Sequence, residues 1–477
     1  MYKYFNIKGG VLLGLCLMAA GCQLPKFIDR DSSQTIPEAY VNTRDTSNLA
    51  SMNWRTFFKD QNLQNLIDTA LQHNQELLIT LQDLSIAKND IRLRQASLLP
   101  QVNGRLSTGL DKVGRYTSQG AGDASTEIAP GIETPEPLKD YTAVVSANWE
   151  VDIWKKLRNS KKAALTRYLS TLEGKNFVLS NLVAEVANAY YELISLDSEL
   201  EIVQQNIALQ KNALEVTKVQ KQASRVTELA VQKFEAEVLK SEGMAFDILQ
   251  QIKETENKIN FLLGRFPTAI PREKSLLQNA FSSTIQTGIP AQLLGNRPDI
   301  KQAELDLVAA KLDVKVARAE FYPSLDISAA LGFQAFKPSY LFRFPESMLY
   351  SLAGDIGGPL INRSALKAEF NTANAKQIQA MYNYERAILN AYIQVSNQLS
   401  GIENLEKRYE LKARQVEALT KSITVSNDLF RSARADYLEV LMTQRDMLET
   451  KLELIETRKA QLNTTINIYK YLGGGWR

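Results

Sequence analysis

The sequence predicts a mainly α-helical chain that also builds a membrane β-barrel, from two similar halves that each join a strand hairpin to a long helical hairpin. Three observations carry this. Asn188-Ala189-Tyr190 returns as Asn390-Ala391-Tyr392, Leu263-Gly264 as Leu472-Gly473, and Leu99-Pro100 finds a counterpart in Tyr322-Pro323. A period of roughly 200 residues marks a duplicated domain, since solenoid units run to only ~20–50. Each half also contains short segments alternating apolar and polar residues, and proline-free helical stretches too long for an ordinary globular core.

The N-terminus decides the compartment. Lys3 and Lys8 precede the apolar run Val11–Met18, and Ala19-Ala20-Gly21-Cys22 follows. The run is too short to span a bilayer and reads as a cleaved signal over residues 1–21. Its ending resembles the bacterial lipobox, with Ala19 where Leu is most usual. That assigns a covalent lipid, palmitate among its acyl chains, to Cys22. The alternative is a plain signal peptidase site with an incidental cysteine. Cys16 is discarded with the signal, so the mature chain keeps Cys22 alone and forms no internal disulfide. A lone thiol is a liability in an oxidising compartment, and a thioether-linked lipid removes it. Residues 22–56, polar and containing Pro25 and Pro37, read as a lipid-anchored arm.

The first repeat is expected over 57–264. A helix from about Phe57 to Leu99 carries Leu63, Leu66, Ile67, Leu71, Leu77 and Leu78 three or four residues apart, and Pro100 stops it. From Gln101 the period changes to two. Val102, Gly104, Leu106, Thr108 and Leu110 share one face, giving a strand over 101–111. After a polar loop, Tyr141, Ala143, Val145, Ala147 and Trp149 mark a second strand over 140–153. A rod from Lys155 to Gln222 follows, ~100 Å long at 1.5 Å per residue. Leu193, Leu196, Leu200, Val203, Ile207 and Leu214 form its coiled-coil seam, with Gln210 at one core position. The chain then returns from Thr227 to Leu263.

Residues 265–296 form an inter-repeat, equatorial segment, and 297–477 the second repeat. Its strands are expected over 324–336, where Leu325, Ile327, Ala329, Leu331 and Phe333 share a face, and over 348–361. Its rod runs over about 363–430, with Val395, Leu399, Ile402, Tyr409, Val416 and Ile423 inward, and returns from Asp436 to Tyr471.

Four strands cannot close a barrel, and an open sheet edge in lipid leaves backbone groups unpaired. The chain must therefore oligomerise. Two copies would make an eight-strand barrel filled by its own side chains, so three is the smallest number that leaves a channel.

Other function classes fare poorly. The formal charge is +3, with cations and anions interspersed along the helices, so nucleic acid is not indicated. His73 is the only histidine and reads as a surface residue; with one mature cysteine, no zinc site of ordinary composition can be assembled. Gly473-Gly474-Gly475 follows a helix instead of opening one, so it is no phosphate cradle. The methionines do not cluster. No enzyme is expected, and no cofactor beyond the lipid on Cys22.

Leu293-Leu294-Gly295-Asn296-Arg297-Pro298-Asp299-Ile300, followed by Ala303-Glu304 and Phe321-Tyr322-Pro323-Ser324, closely resembles the signature of the outer-membrane efflux proteins, the TolC-like outer-membrane factors. Trp149-Glu150-Val151-Asp152-Ile153-Trp154, Gly358-Pro359-Leu360 and Tyr437-Leu438-Glu439-Val440-Leu441 are similar to further family motifs, and the lipobox places the chain near the lipoprotein branch serving drug and metal pumps. The resemblance implies a homotrimer, with a twelve-strand β-barrel in the outer membrane joined to a twelve-helix α-barrel through the periplasm. It also implies a passive exit duct for an inner-membrane pump of the resistance-nodulation-division type, reached through a periplasmic adaptor (membrane fusion protein). Type I protein secretion and a non-conducting trimeric coiled-coil lipoprotein are the alternatives.

The same resemblance implies a gate at the helical turns, 219–229 and 427–439, which would form the periplasmic tip. Glu439 falls on a family acidic position, and three such carboxylates about an axis would favour cations. The family's next acidic position is Met442 here, the first turn has Ala230 where Asp is common, and the turn glycines are replaced by Ser224 and Ala433. Lys221, Arg225, Asp428, Arg431, Arg434 and Asp436 are candidate adaptor or gate contacts, with a solvated turn as the other reading of each.

Overall fold

A computed structural model describes residues 37, 39–40, 49–273, 288–358, 363–432 and 434–476. The signal segment, Cys22, most of the 22–56 arm, part of 265–296, Pro359, Leu360 and Ala433 lie outside these. Helix makes up 69% of the described residues, so the expectation of a mainly α protein holds. The chain divides into two compact units. One contains Ile86–Tyr168 and Leu305–Met381; the other contains Leu169–Glu304, Tyr382–Arg477 and the described residues up to Ser85.

The N-terminal helices are α1 (Trp54–Phe57), α2 (Gln61–His73) and α3 (Gln75–Ala96). The sequence predicts one helix over 57–99, and the structure corrects this. Asn74 takes an extended conformation between α2 and α3. Its Oδ1 accepts the Leu77 N–H at 3.0 Å, and its Nδ2 donates to the Leu262 carbonyl at 3.0 Å. An asparagine able to cap and to bridge thus ends one helix and starts the next.

In the first unit, β1 (Gln101–Asp111) leads through α4 (Ser118–Asp123) and a small hairpin, β2 (Glu127–Ala129) and β3 (Ile132–Glu133), to β4 (Leu138–Val151). Polar residues 112–139, expected as plain loop, thus hold short structure. With β5 (Ser324–Ala335) and β6 (Met348–Gly357) the long strands form one antiparallel sheet in the order β1-β4-β5-β6. β4 pairs with β5, so the two repeats share a sheet instead of making separate hairpins. Register makes the predicted faces continuous across it. Leu106, Ala143, Phe333 and Met348 lie in one row, and Gly104, Val145, Leu331 and Tyr350 in the next. The opposite face carries rows such as Asn103, Ser146, Ala330 and Ser351. Leu106 is 85% exposed and Leu352 79%, so among the described residues nothing covers the apolar face at these positions.

β4 ends at Val151, short of the expected 153, because Asp152 starts the next helix. Its carboxylate accepts the N–H groups of Leu157 and Arg158 at 3.0 Å each and the Arg158 Nε–H at 2.9 Å. Trp154 donates to the Pro323 carbonyl at 2.7 Å and stacks on Tyr322, ring centroids 4.7 Å apart. The Trp149–Trp154 motif is therefore a strand-to-helix joint.

The second unit is helical. α5 (Lys156–Gln222, 67 residues) returns through α6 (Glu228–Leu262). After α7 (Gln292–Asn296) and α8 (Pro298–Ala319), α9 (Arg363–Arg431, 69 residues) returns through α10 (Tyr437–Tyr471). The α5 seam holds as expected. Leu193, Leu196, Val203 and Leu214 are buried, and Gln210 keeps its core position. The echoed tripeptides reach the core through their last two residues: Ala189, Tyr190 and Ala391 are buried, and Tyr392 stacks on Tyr40.

Candidate functional site

Both returning helices end in the same device. After α6, Gly264 has φ +66°, and the Arg265 N–H bonds the Asn260 carbonyl at 3.0 Å. After α10, Gly473 has φ +98°, and the Gly474 N–H bonds the Tyr469 carbonyl at 3.0 Å. These are Schellman closures, which need a left-handed residue. Here glycine is also needed for space: a Cβ would lie 2.2 Å from the His73 carbonyl at 264 and 2.5 Å from that of Asn296 at 473.

Beside the second closure sits buried Arg297. It donates to Asp299 at 2.9 and 2.6 Å, to the Tyr471 carbonyl at 3.0 Å and to Gln394 at 2.9 Å. The motif Asn296-Arg297-Pro298-Asp299 therefore pins the α7–α8 joint to the end of α10 and to α9. Gly474 accepts from Ser180 Oγ at 2.6 Å, so the glycine run packs against α5.

The opposite turns, α5–α6 and α9–α10, hold the predicted gate residues. The Arg225 N–H bonds the Gln220 carbonyl at 2.9 Å and the Arg434 N–H that of Leu429 at 2.8 Å, the same closure again. At the first turn Ser224 holds the left-handed position at φ +59°, where glycine would be unstrained. The turns pack on each other through Leu214, Val231, Phe234, Val238, Phe430 and Val440.

Arg225 lies in the first turn; Asp428, Arg431, Arg434, Asp436 and Glu439 lie in the second, and all six are exposed. No ion pair or side-chain hydrogen bond joins any two of them among the described residues. Asp436 is the N-cap of α10 but makes no side-chain cap bond, and Glu439 is an acid in the first turn of that helix. A carboxylate there is favoured by the helix dipole by ~0.3–1 kcal/mol, whatever else it does. The matching residue of the first turn, Ala230, is fully buried. The turns thus differ in packing as well as in charge, and Met442 is 57% exposed.

Glu228 went unread in the sequence. It pairs with Lys221 across the first turn, and that hydrogen bond holds its carboxyl below the usual range. The signal was available as a Lys and a Glu flanking the turn residues. Tyr437 takes the matching place in the second turn and packs on the apolar cluster.

Two charged groups lie in the body of this unit. Arg272 joins Asp197 at 2.6 Å and Glu256 at 2.7 Å. Glu199 is pushed up to about 7 by burial, against the pull of Lys459 and with help from Glu192 and Glu456. Among the described residues no group of His, Cys, Asp and Glu suits a metal ion, no helix is long and apolar enough to cross a membrane, and His73 is exposed.

The family model for outer membrane efflux proteins matches residues 66–265 and 289–474. The chain is 26% identical over 474 residues to the pyoverdine export outer membrane protein OpmQ of Pseudomonas aeruginosa, covering 99% of this chain and 98% of that one. It is 26% identical over 479 residues to the cation efflux system protein CusC of Escherichia coli, covering 98% and 99%. The open-state crystal structure of the Neisseria gonorrhoeae MtrE outer membrane channel superposes with a TM-score of 0.80 at 21% identity, covering 95% and 98%.

Proposed function

This chain belongs to the outer membrane efflux protein family, and on that premise we propose that it is the outer-membrane duct of a tripartite efflux assembly. The observation that carries the reading is a sheet that is unfinished in the single chain. Among the described residues β1 pairs only with β4 and β6 only with β5, so both edges are open, and apolar-face residues such as Leu106 and Leu352 are bare. Open edges in lipid are untenable, so copies must join edge to edge. Three copies supply twelve strands and a lumen, and each contributes four long helices to a periplasmic tunnel. Cys22 carries the lipid anchor. The duct is passive, opens at the α5–α6 and α9–α10 turns, and meets a periplasmic adaptor there that links it to a resistance-nodulation-division pump.

Of the relatives named above, OpmQ is a pyoverdine export protein and CusC a cation efflux protein, so one architecture serves unlike cargoes. Nothing in this chain's turns marks a single cargo. Glu439, the exposed acid of the second turn, is the gate residue to test. Purified protein in planar bilayers is expected to form cation-preferring pores, and Glu439→Lys to reverse or abolish the preference without loss of assembly. Absence of conductance from correctly assembled protein would overturn the duct. Unchanged selectivity in the variant would remove Glu439 from the gate.

A further inference from the structure

All four junctions between the sheet and long helices, α3–β1, β4–α5, α8–β5 and β6–α9, lie at one end of the strands. Loops 112–137 and 336–347 therefore lie at the other end, the outer one if the sheet spans the membrane. There the apolar face gains aromatic and cationic groups. Phe342 meets Phe333 edge to face, centroids 5.6 Å apart, and Phe333 lies on the apolar face in register with Ala143. Phe342 is 71% exposed and Phe344 70%. Between them and the strand, Tyr340 is flanked by Lys337, whose Nζ lies 5.8 Å from the ring centroid, and by Arg343, whose guanidinium carbon lies 4.6 Å away. Lys139 stands on the same face, opposite Leu110.

These cations differ from their neighbours. Lys112 and Arg115 both approach Glu136, at 3.8 and 3.7 Å. Lys337 and Arg343 have no carboxylate partner among the described residues, and Glu346 is the one acid in their loop. Two bare phenylalanines in water are costly to leave exposed, and the two cations held beside them on an aromatic ring form no ion pair among the described residues, although Lys337 shares a cavity with Asp111, Asp123, Glu133 and Glu136. A membrane boundary answers both, with rings at the level where acyl chains begin and long cationic side chains reaching the headgroups. We propose that the 336–347 loop docks a phosphorylated lipid of the outer leaflet, with Phe342 and Phe344 among the acyl chains and Lys337, Arg343 and Lys139 on its phosphates. The proposal rests on the sheet's being the membrane-spanning part.

The test uses full-length protein in detergent, with binding read by native mass spectrometry. The probes are a glycolipid bearing two phosphates, lipid A, the same lipid with its phosphates removed, and inorganic pyrophosphate. The wild type should prefer the phosphorylated lipid, and added salt should weaken that preference. Lys337→Gln with Arg343→Gln should lower affinity about fivefold per cation, about twenty-five-fold together. Phe342→Ala with Phe344→Ala should weaken both lipids alike. Equal binding of the two lipids by the wild type, unchanged affinity in the cation variant, or full displacement by pyrophosphate would each overturn the proposal. Bilayer conductance of the same preparations separates the two readings. Silent wild-type protein defeats the duct alone, whereas pores from the cation variant show that any lost lipid binding is not lost folding.

Discussion

The two ends of the helical hairpins close with the same backbone device and differ in everything around it. At Gly264 and Gly473 the closure is glycine, pressed against neighbouring carbonyls, and beside Gly473 a buried arginine ties the α7–α8 joint to α9 and to the end of α10. At the opposite turns Ser224 is strained, the charged residues are exposed, and one small apolar cluster joins the two turns. The contrast teaches that the closure is local, whereas rigidity comes from what is packed against it. One end is over-determined by contacts; the other is held by few, which is what the gate proposed there would require.

The sharpest way to break the contrast is at Arg297. Arg297→Ala would leave Asp299 without its partner and orphan the Tyr471 carbonyl and Gln394, costing about 3–5 kcal/mol. Loss of folded protein on thermal melting should follow, with no such effect from Arg225→Ala at the exposed turn. Gly473→Ala comes next. A Cβ at a left-handed position costs about 1–2 kcal/mol before its clash with Asn296 is counted, so at least ~2 kcal/mol is expected by denaturant melting.

Glu199 tests the body between the two ends. Its carboxyl is raised to about 7 in the fold, so the folded state holds the proton more tightly than the unfolded chain does. The stability this contributes is complete below the usual carboxylate range, about pH 4.5, and is lost as pH rises through about 7. Glu199→Gln should flatten that fall in stability across the window, with Lys459, Glu192 and Glu456 left intact.

The smallest effect belongs to the exposed turn. Ser224→Gly should relieve left-handed strain and stabilise the protein by about 1 kcal/mol, seen as slower hydrogen exchange near residues 219–229. If the gate depends on a loosely held turn, the same variant should also open less often in single-channel recordings.

Much of the fold was legible because it is periodic. Alternation from Val102 to Leu110 and from Leu325 to Phe333 exposed the strands, and the three-four spacing from Leu193 to Leu214 exposed the seam. The break at Asn74 was hidden because one asparagine in an apolar-periodic stretch looks like a surface residue until its partner, the Leu262 carbonyl, is known. The family signature around Arg297 was easy to recognise and impossible to interpret, since its partners Gln394 and Tyr471 are remote in sequence. At the turns, Ala230 and Glu439 read in the sequence as a simple exchange of charge, whereas one is buried and the other exposed.

By itself the sequence determined the duplication, the strand and helix periods and the positions where the chain must turn, because each depends on residues a few places apart. Only the tertiary structure decided that β4 pairs with β5 across the repeats, that Arg297 is a lock, and that Ser224 bears a glycine's conformation. Those outcomes depend on which distant groups meet, and local spacing carries no record of that.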